Sequence, residues 1–418
     1  MTKTLNLIAI RCLFLFFILF VLFFNNGAFN FLDIVMHYFV PLQKAMVFWV
    51  GEHILHRTEP IDPQFNGSGD TSYFYVLLLV VLLLSILGTI IWSAIDYKWS
   101  NHKRLFYWLV VVLRYYVGFM LIHYAVAKLH NGQFPSPSVG GMSTTYGDSS
   151  PMGLAWRFMG YSDGYKHFMF VAEMMGALLL FRKTTTIGAF LSLMTCLNIM
   201  LINYFFDVPV KMLSTALVVM CLIILSPNIV RLFRFFFMGM TVGLDQFNPP
   251  SFNANWQRVT VVLVKYVAIV FCALIPLGAK FYTIATDDKG DLKKSLYGAY
   301  RISKLTWTEG TPAIDSLYVS KGWNVIGFDS YDRAIIKYGD NETIYAKSEI
   351  QLATKSMKFS FWEKPDSIYN LTYESPKKDS LVLKGILLGK PVVISLKRKE
   401  FELTKRKFRW VNEYPYNR

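Results

Sequence analysis

Residues 105–129 read "LFYWLVVVLRYYVGFMLIHYAVAKL", an apolar run broken only by Arg114, His123 and Lys128. At ~1.5 Å rise per residue, a helix of this length exceeds the ~30 Å hydrocarbon core of a bilayer. Whether it crosses a membrane or lies in a soluble core decides the fold, and the rest of the chain settles the reading. The 418 residues are 54% hydrophobic and 17% aromatic, with a mean hydropathy of +0.35. Six further runs, at approximately 5–24, 73–95, 166–182, 185–206, 212–230 and 257–281, approach the length of a span. The expectation is an all-α polytopic membrane bundle of about seven transmembrane helices.

Short loops orient such a bundle through the excess of Lys and Arg on the cytoplasmic side. "DYKWSNHKR" at 96–104, "RK" at 182–183, and Arg231 with Arg234 fall on one face. The segments 25–72 and 130–165 fall on the other. This places the N-terminus in the cytoplasm and everything after residue 282 outside. The run from Leu5 to Phe24 is long for a signal-peptide core and lacks a small-residue cleavage site, so it reads as a helix. Residues 30–56 carry Asp33, Lys44 and Glu52 around Pro41. They read as a kinked amphipathic helix lying in the outer interface.

The formal charge of +15 arises from Lys and Arg that flank apolar runs or scatter through the last third of the chain. This is membrane-surface charge, and it argues for lipid rather than nucleic acid as a partner. Cys12, Cys196, Cys221 and Cys272 are isolated within apolar runs, which supports neither a redox dithiol nor a thiolate metal site. No haem, flavin or metal signature is present, and His123 reads as a packed histidine.

Chemistry in such a chain must come from polar residues at membrane depth, where they are costly and face protein or water. In the run 105–129, Gly118, Ala125 and Lys128 fall within about 40° of Arg114 around the helix, with His123 opposite. Arg114 and Lys128 stand about 21 Å apart along the axis. Glu173 in "FVAEMMGALLL" lies between those cations in depth, and Asn198 comes out at a similar level. An Arg114–Glu173–Lys128 ion network with Asn198 is the candidate ligand site. The plainer reading makes Lys128 a snorkelling residue and Glu173 with Asn198 interhelical glue. Arg11 and Lys265 read as snorkelling to the cytoplasmic side.

The turn "NYFFDVPVKMLS", Asn203–Ser214, joins two spans on the outer side. Pro209 presets the backbone for the following helix, Asp207 can cap its free amides, and Lys211 can pair with Asp207. Asn203, Asp207 and Lys211, with Phe134 and Pro135 from the outer loop, form the candidate pocket rim. In that loop "GDSSP" followed by "MGLAWRFMG" reads as a capped helix start at Pro151 that presents Trp156 and Arg157.

After residue 282 the pattern changes. "LYGAYRIS", "WNVIGF", "RAIIKYG", "TIYAKSEIQL", "KFSFW", "SIYNLTY", "LVLKGILL" and "PVVISLKRK" alternate or are β-branched, and turn-formers separate them. Short strands at this spacing predict an antiparallel β-barrel or sandwich of about eight strands. The tail "KFRWVNEYPYNR" is expected to pack on the barrel or on the membrane surface.

Four stretches then carry a resemblance: "LRYYVGFMLIHYAVAKLHNGQFP", "YGDSSPMGLAWRFMG", "VAEMMGALLLFRKTTTIGAFLS" and "NYFFDVPVKMLSTALVVMCLIILSP". Together they resemble the DoxX-like (DoxX/DoxD) membrane family over roughly residues 105–235, a four-helix core. The whole chain looks like the long Bacteroidetes-type members with an added C-terminal β domain. That domain is similar to a lipocalin-like barrel. The resemblance implies a bacterial inner membrane and, from some members, quinone-coupled thiosulfate oxidation. The positions that match are Arg114, Lys128, Phe134, Pro135, Glu173, Gly176, Asn203, Asp207, Pro209 and Lys211.

The expected organisation is then N-terminal helices over 1–104, the DoxX-like core over 105–235, a linker and last helix over 236–282, and a periplasmic β domain over 283–418. Three functions fit. The first is an accessory or scaffold subunit of an envelope complex, meeting a protein partner through the β domain. The second is a quinone- or isoprenoid-lipid-binding oxidoreductase component, with quinone as the possible cofactor. The third is a carrier of a lipid or small anion. Seven spans without an internal repeat weigh against the carrier.

Overall fold

The computed structural model describes residues 2–64, 66–96, 102–130, 132–245, 247, 249, 254–286, 296–307, 323–329, 332–338, 342–362, 364–377, 379–387, 390–406 and 408–416. The chain divides into a helical unit, residues 1–136 and 150–284, and a barrel unit, residues 137–149 and 285–418.

In the helical unit, α1 (Thr2–Phe23), α4 (Ser72–Ile95) and α5 (His102–Lys128) pack around a core that includes Phe20, Leu77, Leu113 and Tyr116. Between the first two lie α2 (Asn30–His37) and α3 (Val40–His53), which meet at 71° where Pro41 opens the second. Next come α7 (Pro151–Tyr161), α8 (Asp163–Met174), a 3₁₀ segment (Met175–Leu180) and a one-turn 3₁₀ piece (Arg182–Thr184). They are followed by α9 (Thr185–Phe205), α10 (Lys211–Leu225), α11 (Ile229–Met238), α12 (Asn255–Ile269) and α13 (Ile275–Thr286). Among the described residues, four helices are long and apolar enough to cross a membrane, or up to six if each bent pair is one span. The helix at 5–24 is present, but its described apolar part, Leu7–Phe23, is shorter than those four.

The helix expected over 212–230 ends at Leu225, and the chain turns by 83° into α11. Pro227 cannot donate to the ladder and restrains the residue before it. Asn228 then holds the corner, accepting from the Asp245 amide at 2.8 Å and donating to the Asp245 carbonyl at 3.1 Å. A π-helical segment, Val270–Leu274, joins α12 to α13 just before Pro276. Proline has no N–H for the carbonyl four residues back, that of Cys272. His123 Nε2 donates to this carbonyl at 2.9 Å. Where α5 crosses the 3₁₀ segment, a Cβ on Gly176 would stand 2.7 Å from Leu121 Cβ, so only glycine permits this approach.

Arg11 does not snorkel. It is buried, donates to the Asp96 carbonyl at 2.7 Å and pairs with the Asp96 carboxylate at 3.3 Å, with its guanidinium over Trp92. It thereby serves the C-terminal end of α4, where free carbonyls and the helix dipole favour a cation. Lys265 Nζ lies 4.9 Å from the Phe181 ring centroid.

The barrel unit holds β1 (Gly298–Trp307), β2 (Trp323–Asp329), β3 (Arg333–Tyr338), β4 (Thr343–Gln351), β5 (Ser356–Phe361), β6 (Lys364–Lys377), β7 (Ser380–Leu387) and β8 (Lys390–Lys399). Each strand pairs antiparallel with the next, and β1 pairs with β8, from Ala299 opposite Lys399 to Trp307 opposite Val392. The sheet is therefore a closed eight-stranded meander without free edges. Alternate residues point inward, as β4 shows with Ile344, Ala346, Ser348 and Ile350 buried. The interior is occupied by Tyr300, Phe328, Tyr338, Phe359, Phe361 and aliphatic neighbours.

Residues 137–149 form a strap on this barrel. The short α6 (Val139–Ser143) is capped by Ser138, whose Oγ accepts from the Gly141 amide at 3.1 Å. Val139 is buried with Ala299 and Val325, and Lys337 Nζ donates to the Ser143 carbonyl. The tail after α14 (Glu402–Lys405) does not pack on the barrel over its described residues. Phe408, Trp410 and Tyr414 are 85%, 89% and 83% exposed. It folds back locally instead, with Arg406 over the Tyr416 ring at 4.0 Å and the Tyr416 hydroxyl donating to Glu402.

Candidate functional site

The helical unit contains a cavity of about 580 Å³, within the size range of small-molecule sites. Most of its wall is apolar. Met120 comes from α5, Trp156 and Met159 from α7, Met169 from α8, and Met194 and Ile202 from α9. Methionine and tryptophan give such a wall a polarisable, adaptable surface. The polar groups that enter it are Asn26, Lys128, Gln133, Glu173, Thr195, Asn198 and Asn203, with the Tyr124 ring beside them.

The charged centre is an ion pair. Lys128 Nζ lies 2.7 Å from Glu173 Oε1, with both side chains buried, 6% and 3% exposed. Lys128 also donates to Gln133 Oε1 at 3.2 Å, and its ammonium faces the Phe134 and Tyr124 rings. The chain reaches this geometry through a tight turn after α5. The Gln133 amide donates to the Ala127 carbonyl at 2.6 Å, and a Cβ on Gly132 would overlap that carbonyl. Glu173 is the penultimate residue of α8, just before the switch from α to 3₁₀ geometry. Its second oxygen, Oε2, is buried and has no hydrogen-bond partner among the described residues. A buried carboxylate oxygen without a donor is costly, so this atom is poised for a hydroxyl or N–H from a ligand.

Trp156 packs edge-on against Phe134, with ring centroids 5.1 Å apart. Its helix starts where the sequence predicts: Ser150 Oγ accepts from the Gly153 amide at 3.0 Å, with Pro151 in the first turn. Thr195 Oγ1 donates within hydrogen-bond distance of the carbonyls of Leu191 and Ala172, at 3.1 and 3.3 Å.

Of the candidate ligand residues, Lys128, Glu173 and Asn198 meet at the cavity. Arg114 does not join them. Its Nη1 donates to Thr185 Oγ1 at 3.1 Å, so the three-membered ion network reduces to the Lys128–Glu173 pair. Of the rim candidates, Phe134 and Asn203 line the cavity, whereas Pro135, Asp207 and Lys211 are not among its lining residues. Asp207 and Lys211 pair with each other at 2.8 Å at the surface, Asp207 in the left-handed region with φ 50°. The cap of α10 comes instead from Asp70, whose carboxylate accepts from the Lys211 and Met212 amides at 2.7 and 3.1 Å. Asn203 Nδ2 ties the turn by donating to the Val210 carbonyl. Val208, Pro209 and Val210 supply the wall that the sequence assigned to their charged neighbours.

Among the described residues no group of three or more His, Cys, Asp or Glu is placed to hold a metal ion. No family profile matches the chain, and no solved structure matches it. Over 115 residues, 27% of this chain and 71% of the relative, it is 39% identical to the uncharacterized protein YwoB of Bacillus subtilis (strain 168), and the chain belongs to that protein's family.

Proposed function

We propose that this chain is a DoxX-like integral protein of a bacterial inner membrane whose helical unit binds a quinone or isoprenoid-type lipid. In this reading it has seven spans, a cytoplasmic N-terminus and a periplasmic barrel. The observation that carries the proposal is the cavity of about 580 Å³ with its buried Lys128–Glu173 pair and free Glu173 Oε2. The apolar wall suits a long isoprenoid tail. Lys128 can donate to a carbonyl or hydroxyl oxygen at the polar end, while Glu173 Oε2 accepts from a hydroxyl. Asn198 and Gln133 offer further polar contacts nearby.

The aromatic and aliphatic cluster inside the barrel favours an accessory role beside this one. A lipocalin-like meander packed by Phe328, Tyr338 and Phe361 acts through its surface. The barrel would then dock a protein partner of an envelope complex, to which the helical unit delivers or exposes its lipid.

The test is to purify the protein in mild detergent and identify the bound lipids by mass spectrometry and the bound proteins by proteomics. Quinone or polyisoprenoid should co-purify with the wild type and fall severalfold in Glu173→Gln and Trp156→Ala. A stoichiometric protein partner with no bound isoprenoid would leave only the accessory role. Reporter fusions at Lys183 and Arg418 should sit on opposite sides of the membrane, and the same side for both would overturn the topology.

A further inference from the structure

A second polar site lies away from the cavity, around Arg114. This side chain is only 4% exposed. One nitrogen, Nη1, donates to Thr185 Oγ1 at 3.1 Å, and the guanidinium lies 5.0 Å from the Tyr115 ring centroid. The Nε–H is buried with no partner among the described residues. Nor does any described carboxylate pair with Arg114. The charged groups whose fields reach this cluster are Arg182 and Lys265, both cations. Lys265 Nζ stands over the Phe181 ring at 4.9 Å, and the Phe181 carbonyl accepts from Thr185 Oγ1 at 3.0 Å.

Three cations from α5, α12 and the 3₁₀ turn between them in sequence thus gather around Phe181–Thr185, with no acid paired to Arg114 among the described residues. A buried, uncompensated arginine is strongly destabilising, and self-repulsion among the three adds to the cost. At this burial Arg114 cannot reach water by stretching, so the counter-charge must come to it. The exposed side chains of Arg182 and Lys183 open the cluster to the surroundings.

We propose that Arg114, Arg182 and Lys265 form a phosphate-binding site, distinct from the Lys128–Glu173 cavity, for the phosphate of an anionic lipid headgroup or for free phosphate. The two outer cations, Arg182 and Lys265, meet the phosphate, and the buried Arg114 guanidinium adds its charge from behind them. Basic pockets between membrane helices have this physical role on an anionic leaflet.

The test uses the full chain, delipidated in neutral detergent and returned to nanodiscs of phosphatidylglycerol or of phosphatidylcholine. Native mass spectrometry should find phosphatidylglycerol retained over phosphatidylcholine. Arg182→Gln and Lys265→Gln, which leave the buried contacts of Arg114 in place, should each lower that retention roughly fivefold. Arg114→Gln should lower it further. Inorganic phosphate is the second arm: stabilisation in neutral detergent that the same variants abolish supports the site and gives it a soluble occupant. Equal retention of both lipids, with no response to phosphate and no effect of Arg182→Gln or Lys265→Gln, would overturn the proposal. The variants should leave any isoprenoid bound at Glu173 unchanged, which separates this site from the cavity.

Discussion

Lys128 and Glu173 hold each other in a place where neither is tolerated alone. Replacing Lys128 by Met leaves a buried carboxylate without its cation, which should cost about 3–5 kcal/mol, measured by thermal unfolding in detergent. The double variant Lys128→Met with Glu173→Leu should recover most of that loss while abolishing ligand retention, because the apolar pair removes the unmet charge. The sequence put Glu173 between Arg114 and Lys128 in depth, and of those two cations it is Lys128 that pairs with it. Arg114 was misplaced by the same bookkeeping: its helical face matches Lys128, but the ~21 Å between them exceeds what two side chains bridge. Thr195 and the methionines gave no signal, because neutral side chains in apolar runs look alike whether they face lipid, core or cavity, and Gln133 lies in a polar loop where nothing marks it out. Asp70 was hidden for another reason: it caps a helix more than a hundred positions away in sequence. Asp70→Ala should destabilise the helical unit by about 1 kcal/mol in the same assay, whereas Asp207→Ala should leave the unfolding midpoint near that of the wild type.

At the scale of elements, the eight strands were readable because the period-two pattern survives wherever one face is buried. The helices were readable as runs but not in their breaks. Pro227 interrupts a stretch whose hydropathy carries on through it, and the resulting corner depends on Asn228, a residue with no hydropathy signature. The π segment before Pro276 poses a related problem, a carbonyl deprived of its helical donor and served by a histidine from another helix. His123→Leu should therefore cost about 1–3 kcal/mol, the penalty for an unpaired buried polar group, although the substitution is more apolar. His123→Gln, which keeps a donor, should recover part of it. Equal stability of wild type and His123→Leu would show that the Cys272 carbonyl finds another donor.

At the scale of the molecule, residues 137–149 belong by packing to the barrel although their neighbours on both sides belong to the helices. Val139 is the anchor, with its methyl carbon 2.4 Å from where a Cβ on Gly327 would stand. Val139→Asp would bury an unpaired carboxylate there and should lower the barrel's own unfolding transition by about 2–4 kcal/mol, followed by near-ultraviolet circular dichroism. A composition-based division of the chain cannot find such a strap, since glycine, serine and proline read as linker wherever they occur. The arrangement also fixes what a single cut can do. Three covalent crossings, after residues 136, 149 and 284, join the two units, so severing the last one separates the strands covalently from the helices but leaves the strap, residues 137–149, on the helical fragment. The fragment is then held by noncovalent contacts alone, among them those of Val139 with Ala299 and Val325, which the cut leaves in place.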